Sequence, residues 1–228
     1  MKIRLHLKIF VFVAIFIATR QIEIYGLIMI FAFLHEMGHM IAGIILGFKP
    51  CTLEIMPFGL SIGFEGKVEN YNKKIGKASI ITLKKMIIAL SGPLTNLFFV
   101  LLFSIFKINI FGIERELIIY SNILLGIFNL IPIYPLDGGR VLKCVLYICY
   151  GKKDGGQYIN TVSYITVVIL TAIASITILY FKNIAIPIIL IYLWYLVIRE
   201  KKKYNSKRKI YERLKQLKEE NYNYLEKV

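Results

Sequence analysis

Residues 25–47 read YGLIMIFAFLHEMGHMIAGIILG, an apolar run broken near its middle by His35, Glu36 and His39. The run is long enough to cross a hydrocarbon core, which takes about 20 helical residues. Imidazoles four positions apart leave one face of a helix, where they can take adjacent corners of a zinc tetrahedron. The carboxylate beside them is placed to act as general base toward a water. Ionisable groups at membrane depth are costly to bury, so the cluster reads as a metal site rather than as packing. It holds two of the three histidines in the chain.

Working outward, the composition agrees with a membrane location. Hydrophobic residues make up 57% and charged residues 19% of the 228 residues, and the mean hydropathy is +0.64. A soluble domain would carry roughly a quarter charged residues. The expected fold is an all-α polytopic bundle of about six spans, near 5–22, 26–47, 84–106, 117–136, 159–181 and 183–199. Bulky Phe16 where a signal-peptide cleavage site wants a small residue favours an uncleaved first span. Lysines and arginines concentrate before the first span, between the second and third (Lys49, Lys67, Lys73, Lys74, Lys77, Lys84, Lys85) and between the fourth and fifth (Arg140, Lys143, Lys152, Lys153). The positive-inside rule then puts both termini in the cytoplasm. The net charge of +15 follows from topology and contact with anionic lipid; no nucleic-acid motif accompanies it.

On this orientation His39 lies about eight residues, or roughly 12 Å, from the cytoplasmic end of its span. The segment from Thr52 to Gly66 mixes short apolar runs with spaced glycines. It reads as a β-hairpin or re-entrant loop at the mouth of the site, able to pair with an unwound substrate strand, or else as an ordinary connector. Residues 1–198 form the expected membrane domain and 199–228 a basic cytoplasmic tail. Ile210, Leu214 and Leu217 at helical spacing suit an interfacial helix there, with a partner-binding helix or a partly disordered tail as competing readings. Cys51, Cys144 and Cys149 are odd in number, are expected to be reduced, and read as small packing residues.

Two histidines leave a catalytic zinc one protein ligand short. His6 sits too near the start of the chain. The better candidate is Asp137 in FNLIPIYPLDGGR, residues 128–140, where two prolines and two glycines break the helix as a carboxylate turns toward the bundle interior. A carboxylate also suits zinc.

The motif from His35 to His39, followed by the Asn-x-x-Pro-x-x-Pro-Leu-Asp-Gly stretch from Asn129 to Gly138, resembles the site-2 protease family of intramembrane zinc metalloproteases. Its spacing looks most like the branch of the stage IV sporulation proteins. Ser91-Gly92-Pro93-Leu94-Thr95-Asn96 is similar to a further pattern carried between the two metal motifs. The resemblance implies one Zn2+ per chain on His35, His39 and Asp137, Glu36 as the base, and no covalent intermediate. It also implies Asn129 as a donor to the substrate or its oxyanion; a helix-capping or interhelical amide is nearly as good a reading. Gly38 reads as a close-approach residue, and Gly92, Pro93 and Asn96 as shaping the neighbouring span.

The implied substrate is an inactive membrane-associated sigma-factor precursor, with an inhibitory membrane partner, in a bacterial inner or forespore-surrounding membrane. Clearing of membrane stubs or signal-peptide remnants is the alternative within the same chemistry. Residues 199–228 are too few for the CBS domain that this branch often carries, so nucleotide control is not carried over. The rival class is a metal-binding scaffold or transporter. A base beside the ligands and the lack of internal repeats speak against it.

Overall fold

The computed structural model describes residues 2–5, 22–56, 59–64, 75–106, 113–181 and 185–225. In chain order these form β1 (Lys2–Leu5), α1 (Ile22–Ile45), β2 (Pro50–Met56), β3 (Gly59–Phe64), α2 (Ile75–Ile105), α3 (Arg115–Leu130), α4 (Asp137–Phe181) and α5 (Ala185–Leu225).

Helix α1 is the apolar run that carries both histidines. Gly47 ends it, in the left-handed region at φ 83°. Its N–H donates to the Ile44 carbonyl at 2.9 Å and that of Phe48 to the Gly43 carbonyl at 2.9 Å. This is the paired 5→2 and 6→1 closure of a Schellman cap, which only a residue without a Cβ adopts cheaply. The chain then reverses into a hairpin in which Met56 of β2 pairs with Gly59 of β3. A β-hairpin or re-entrant loop was one reading of this segment and an ordinary connector the other; the third strand was not expected. β1 lies parallel to β2, from Lys2 opposite Thr52 to Leu5 opposite Ile55, so the all-α expectation is corrected to a helical bundle with a small three-stranded sheet.

Helix α2 is the central post, with α1, α3 and α4 packed along it. Its approach to α1 is close at Gly38, where an added Cβ would collide with the Thr95 hydroxyl and lie 3.1 Å from the Ser91 carbonyl. Further along, Phe31 meets Phe99 edge-on at 5.5 Å, within a core of Leu27, Phe31, Phe103 and Ile118. A second core joins the turn after α3 to α4 and α5 through Ile133, Val167, Leu193 and Val197. Trp194 of α5 donates its indole N–H to the Thr171 hydroxyl of α4 at 3.0 Å. Outside these cores many large apolar side chains face outward, among them Ile30, Ile44, Leu94, Phe98, Ile105, Leu124 and Ile169. Contiguous apolar surface on this scale suits lipid rather than water.

Among the described residues, three helical segments are long and apolar enough to cross a membrane: Tyr25–Ile45, Ile80–Ile105 and Asp154–Thr177. The expected fourth span, 117–136, shortens to the 16 residues of α3, a rise of about 24 Å against a core of about 30 Å. Its end at Leu130 puts residues 131–136 in a turn. The expected fifth span belongs to α4, which breaks at Gly151 (φ 78°, ψ 172°) into an arm bearing Asp137 and a longer helix bearing the apolar run. The expected sixth span opens α5, which continues as helix through the basic stretch to Leu225. The expected first span falls outside the described residues except at its ends, Leu5 in β1 and Ile22 in α1. His6 is likewise outside them.

Candidate metal centre

Three elements build the centre. From α1, His35 and His39 project one turn apart, 3% and 2% exposed. From the start of α4 comes Asp137, 4% exposed, aimed by the turn that precedes it. Leu136 N–H bonds to the Ile133 carbonyl at 2.8 Å, and Arg140 N–H to the Leu136 carbonyl at 2.8 Å, which opens the helix. A Cβ on Gly138 would strike the Leu130 carbonyl, and one on Gly139 the backbone of Ile133 and Tyr134. The two glycines therefore allow the tight return that turns the carboxylate inward. From α2, Ser91 and Gly92 close the third side.

The three candidate ligand atoms form a small triangle. His35 Nε2 lies 2.9 Å from Asp137 Oδ2, His39 Nε2 lies 3.1 Å from the same oxygen, and the two Nε2 atoms are 3.1 Å apart. Ligands at about 2.0–2.1 Å around tetrahedral zinc stand roughly 3.3 Å from one another, so the triangle needs to open by only a few tenths of an ångström. Its chemistry also asks for a cation. His39 Nδ1 is 2.6 Å from the Ile88 carbonyl and can only donate there, which leaves Nε2 as a bare lone pair in the neutral ring. That lone pair faces a carboxylate oxygen and a second imidazole nitrogen. In the neutral ring the 3.1 Å approach of His39 Nε2 to Asp137 Oδ2 sets acceptor against acceptor, a contact that a cation between them makes favourable, and the backbone bond through Nδ1 is the usual way a ligating imidazole is oriented. Finally, a Cβ on Gly92 would run into Nε2 of both histidines, so only a glycine lets the α2 backbone pack this closely against the triangle. His35, His39 and Asp137 thus fit a zinc ion, by geometry and by donor type.

Two groups that the sequence reading left without a role in the site complete it. Arg140, counted there only as topological charge, brings Nη1 to 3.3 Å from Asp137 Oδ1, the carboxylate oxygen turned away from the triangle. Ser91 donates to the Ile88 carbonyl at 2.7 Å and lies 3.3 Å from His39 Nδ1. The i, i+3 spacing of Asp137 and Arg140 was a usable signal for the first; nothing in the sequence marks a backbone carbonyl.

Glu36 is half-buried and lines a cavity of about 420 Å3 together with His39, Tyr134, Arg140, Lys143 and residues of α2. The cavity gives the carboxylate room for water and a peptide beside the triangle. Asn129 stands in the last turn of α3, half-buried. Among the described residues its side chain makes no hydrogen bond, and it is not among those lining the cavity. Cys51, Cys144 and Cys149 are free thiols, and the metal-ligand grouping includes none of them.

Comparison with known proteins supports the sequence resemblance. Residues 110–173 match the model of Peptidase family M50. A zinc metalloprotease of Methanocaldococcus jannaschii is 27% identical over 164 residues, 65% of this chain and 44% of the relative. Stage IV sporulation protein FB of Bacillus subtilis is 23% identical over 146 residues, 62% of this chain and 46% of the relative. The chain therefore spans less than half the length of these curated relatives. In three dimensions it is similar to the site-2 protease from Methanocaldococcus jannaschii, with a TM-score of 0.63 at 21% identity over 87% of this chain and 89% of that one. The last match speaks for the fold alone.

Proposed function

From a chain that resembles the site-2 proteases in the order of its motifs and in its fold, we infer a zinc-dependent endopeptidase that hydrolyses a peptide bond in or beside a membrane segment of another protein. The observation that carries this reading is the convergence of His35, His39 and Asp137, contributed from positions about a hundred residues apart, with Glu36 in the adjoining cavity. A structural metal site would close its fourth position with protein; here the cavity lined by Glu36 and His39 adjoins the triangle.

The residues divide the work. His35, His39 and Asp137 hold the ion, His39 oriented by the Ile88 carbonyl and Asp137 by Arg140. When bound, zinc polarises the scissile carbonyl and lowers the pKa of water toward about 7. Glu36 accepts the proton of the attacking water and returns it to the departing amine. Water attacks directly, so no side chain becomes acylated. Asn129 does not line the cavity; its role as a donor to the substrate or its oxyanion rests on the family resemblance alone. The buried triangle lies among apolar helices, and the cavity is its route for water.

Sequence similarity to stage IV sporulation protein FB favours a membrane-tethered sigma-factor precursor as substrate, with an inhibitory membrane partner. The basic loops favour cytoplasmic termini in a bacterial inner or forespore-surrounding membrane. Co-expression with a tagged, tethered precursor tests this. A shorter product with the wild-type chain and none with Glu36→Gln at equal protein level supports both mechanism and substrate. Cleavage by neither removes the substrate assignment, and zinc absent from the purified chain then removes the protease reading. Equal cleavage by both sinks the role given to Glu36.

A further inference from the structure

The cavity beside the triangle is unevenly charged. Its lining includes three cations, Lys85 of α2 with Arg140 and Lys143 of α4, and one acid, Glu36. Arg140 is engaged by Asp137. The two lysines are not engaged in this way, and neither has an ion-pair partner among the described residues. Lys84 shows what the alternative looks like: it turns away and donates to the Leu46 carbonyl at 3.1 Å, capping the end of α1. Lys143 is instead held at the cavity wall, its ammonium 3.7 Å from the Tyr134 ring centre and 5.6 Å from that of Tyr147. Lys85, Lys143 and Cys144 all line this cavity.

We propose that Lys85 and Lys143 select peptide segments that carry a carboxylate within a few residues of the bond to be cut. The inference rests on the proteolytic reading above and adds a substrate preference to it. Counting Arg140 and both lysines against Glu36 and Asp137, the cavity is already net positive, and a divalent ion on the triangle raises the imbalance. Inside a low-dielectric cleft such a field is focused on whatever enters. A peptide acid relieves it, a neutral side chain does not, and a lysine or arginine meets repulsion, so the same groups attract one class and exclude another. The cation–π contact fixes Lys143 before a substrate arrives, which lowers the ordering cost of the ion pair.

The test uses the full chain carrying Glu36→Gln, in neutral detergent, so that binding is read without turnover. Two labelled peptides with a membrane-segment sequence differ only in one Glu or its isosteric Gln near the centre. The acidic peptide should bind roughly five- to tenfold tighter. Lys85→Gln and Lys143→Gln together should erase the difference, and Lys143→Glu should invert it in favour of a lysine-bearing peptide. Equal binding of the two peptides overturns the proposal, as does a preference that survives both lysine substitutions. Anionic lipid that binds the lysine-intact chain and not the double variant, with the two peptides bound equally, assigns the lysines to lipid phosphate and also overturns it. Cleavage by the Glu36-intact chain is scored separately, so indifference to charge with Glu36-dependent cleavage leaves the protease reading standing while this one falls.

Discussion

Asp137 is held from both sides of its carboxylate: Oδ2 faces His35 and His39 at 2.9 and 3.1 Å, and Oδ1 lies 3.3 Å from the Arg140 guanidinium one helical turn on. The arginine therefore fixes which oxygen points into the triangle. Arg140→Met should leave the fold intact and weaken zinc binding about 10- to 100-fold, the usual cost of losing such a support. Competition against a chelator of known affinity reads the change; unchanged affinity would show the contact to be incidental.

Removing a ligand and removing the base should separate metal binding from chemistry. Asp137→Ala is expected to purify with little zinc and no activity. Glu36→Gln should keep stoichiometric zinc and lose at least about a thousandfold in rate, within the range that general-base loss can reach. Metal analysis beside a cleavage assay distinguishes them, and zinc loss in both variants would make Glu36 a ligand instead.

Gly92 offers a steric test of how closely α2 packs against the triangle. Gly92→Ala places a methyl group against both Nε2 atoms and should cut zinc content more than tenfold with little change in helical circular dichroism. Gly26→Ala on α1, where an added Cβ meets nothing within 4 Å, should match the wild type in both measurements.

At the far end of α1, Gly47→Ala forces a Cβ into the left-handed region at φ 83°. The expected cost is about 1–2 kcal/mol, read as a lower midpoint in detergent denaturation. An unchanged midpoint would mean that the cap closes in another way.

Much of the site was legible because its chemistry violates its surroundings. Histidines and acids inside apolar helices are costly, so His35, Glu36, His39 and Asp137 announce themselves without any knowledge of packing. The breaking of a helix at Pro132, Pro135, Gly138 and Gly139 was equally visible, although the turn starts earlier than the hydropathy suggests, because Ile131 and Ile133 are apolar in turn and helix alike. The spaced glycines pointed to a hairpin without separating it from a re-entrant loop or a plain connector. Nothing pointed to β1, since Lys2–Leu5 carries no strand signal of its own and is a strand only through its partner β2. Ile88 and Gly92 were hidden for a related reason: one acts through its backbone and the other through having no side chain, and composition records neither as chemistry.

The ligands also have a mechanical meaning. α1 and α4 each pack against α2, and they are tied to each other at the triangle, through residues 98 and 102 positions apart. An ion bound there is a removable crosslink that closes a circuit of chain about a hundred residues long. In water a covalent bridge around such a loop removes about 4.7 kcal/mol of unfolded-chain freedom; within a bilayer, where the spans are already confined, the share is smaller. Chelation should then do more than stop the reaction: it should unfasten the arm of α4 from α1, making the metal a clasp of the bundle as well as its reagent.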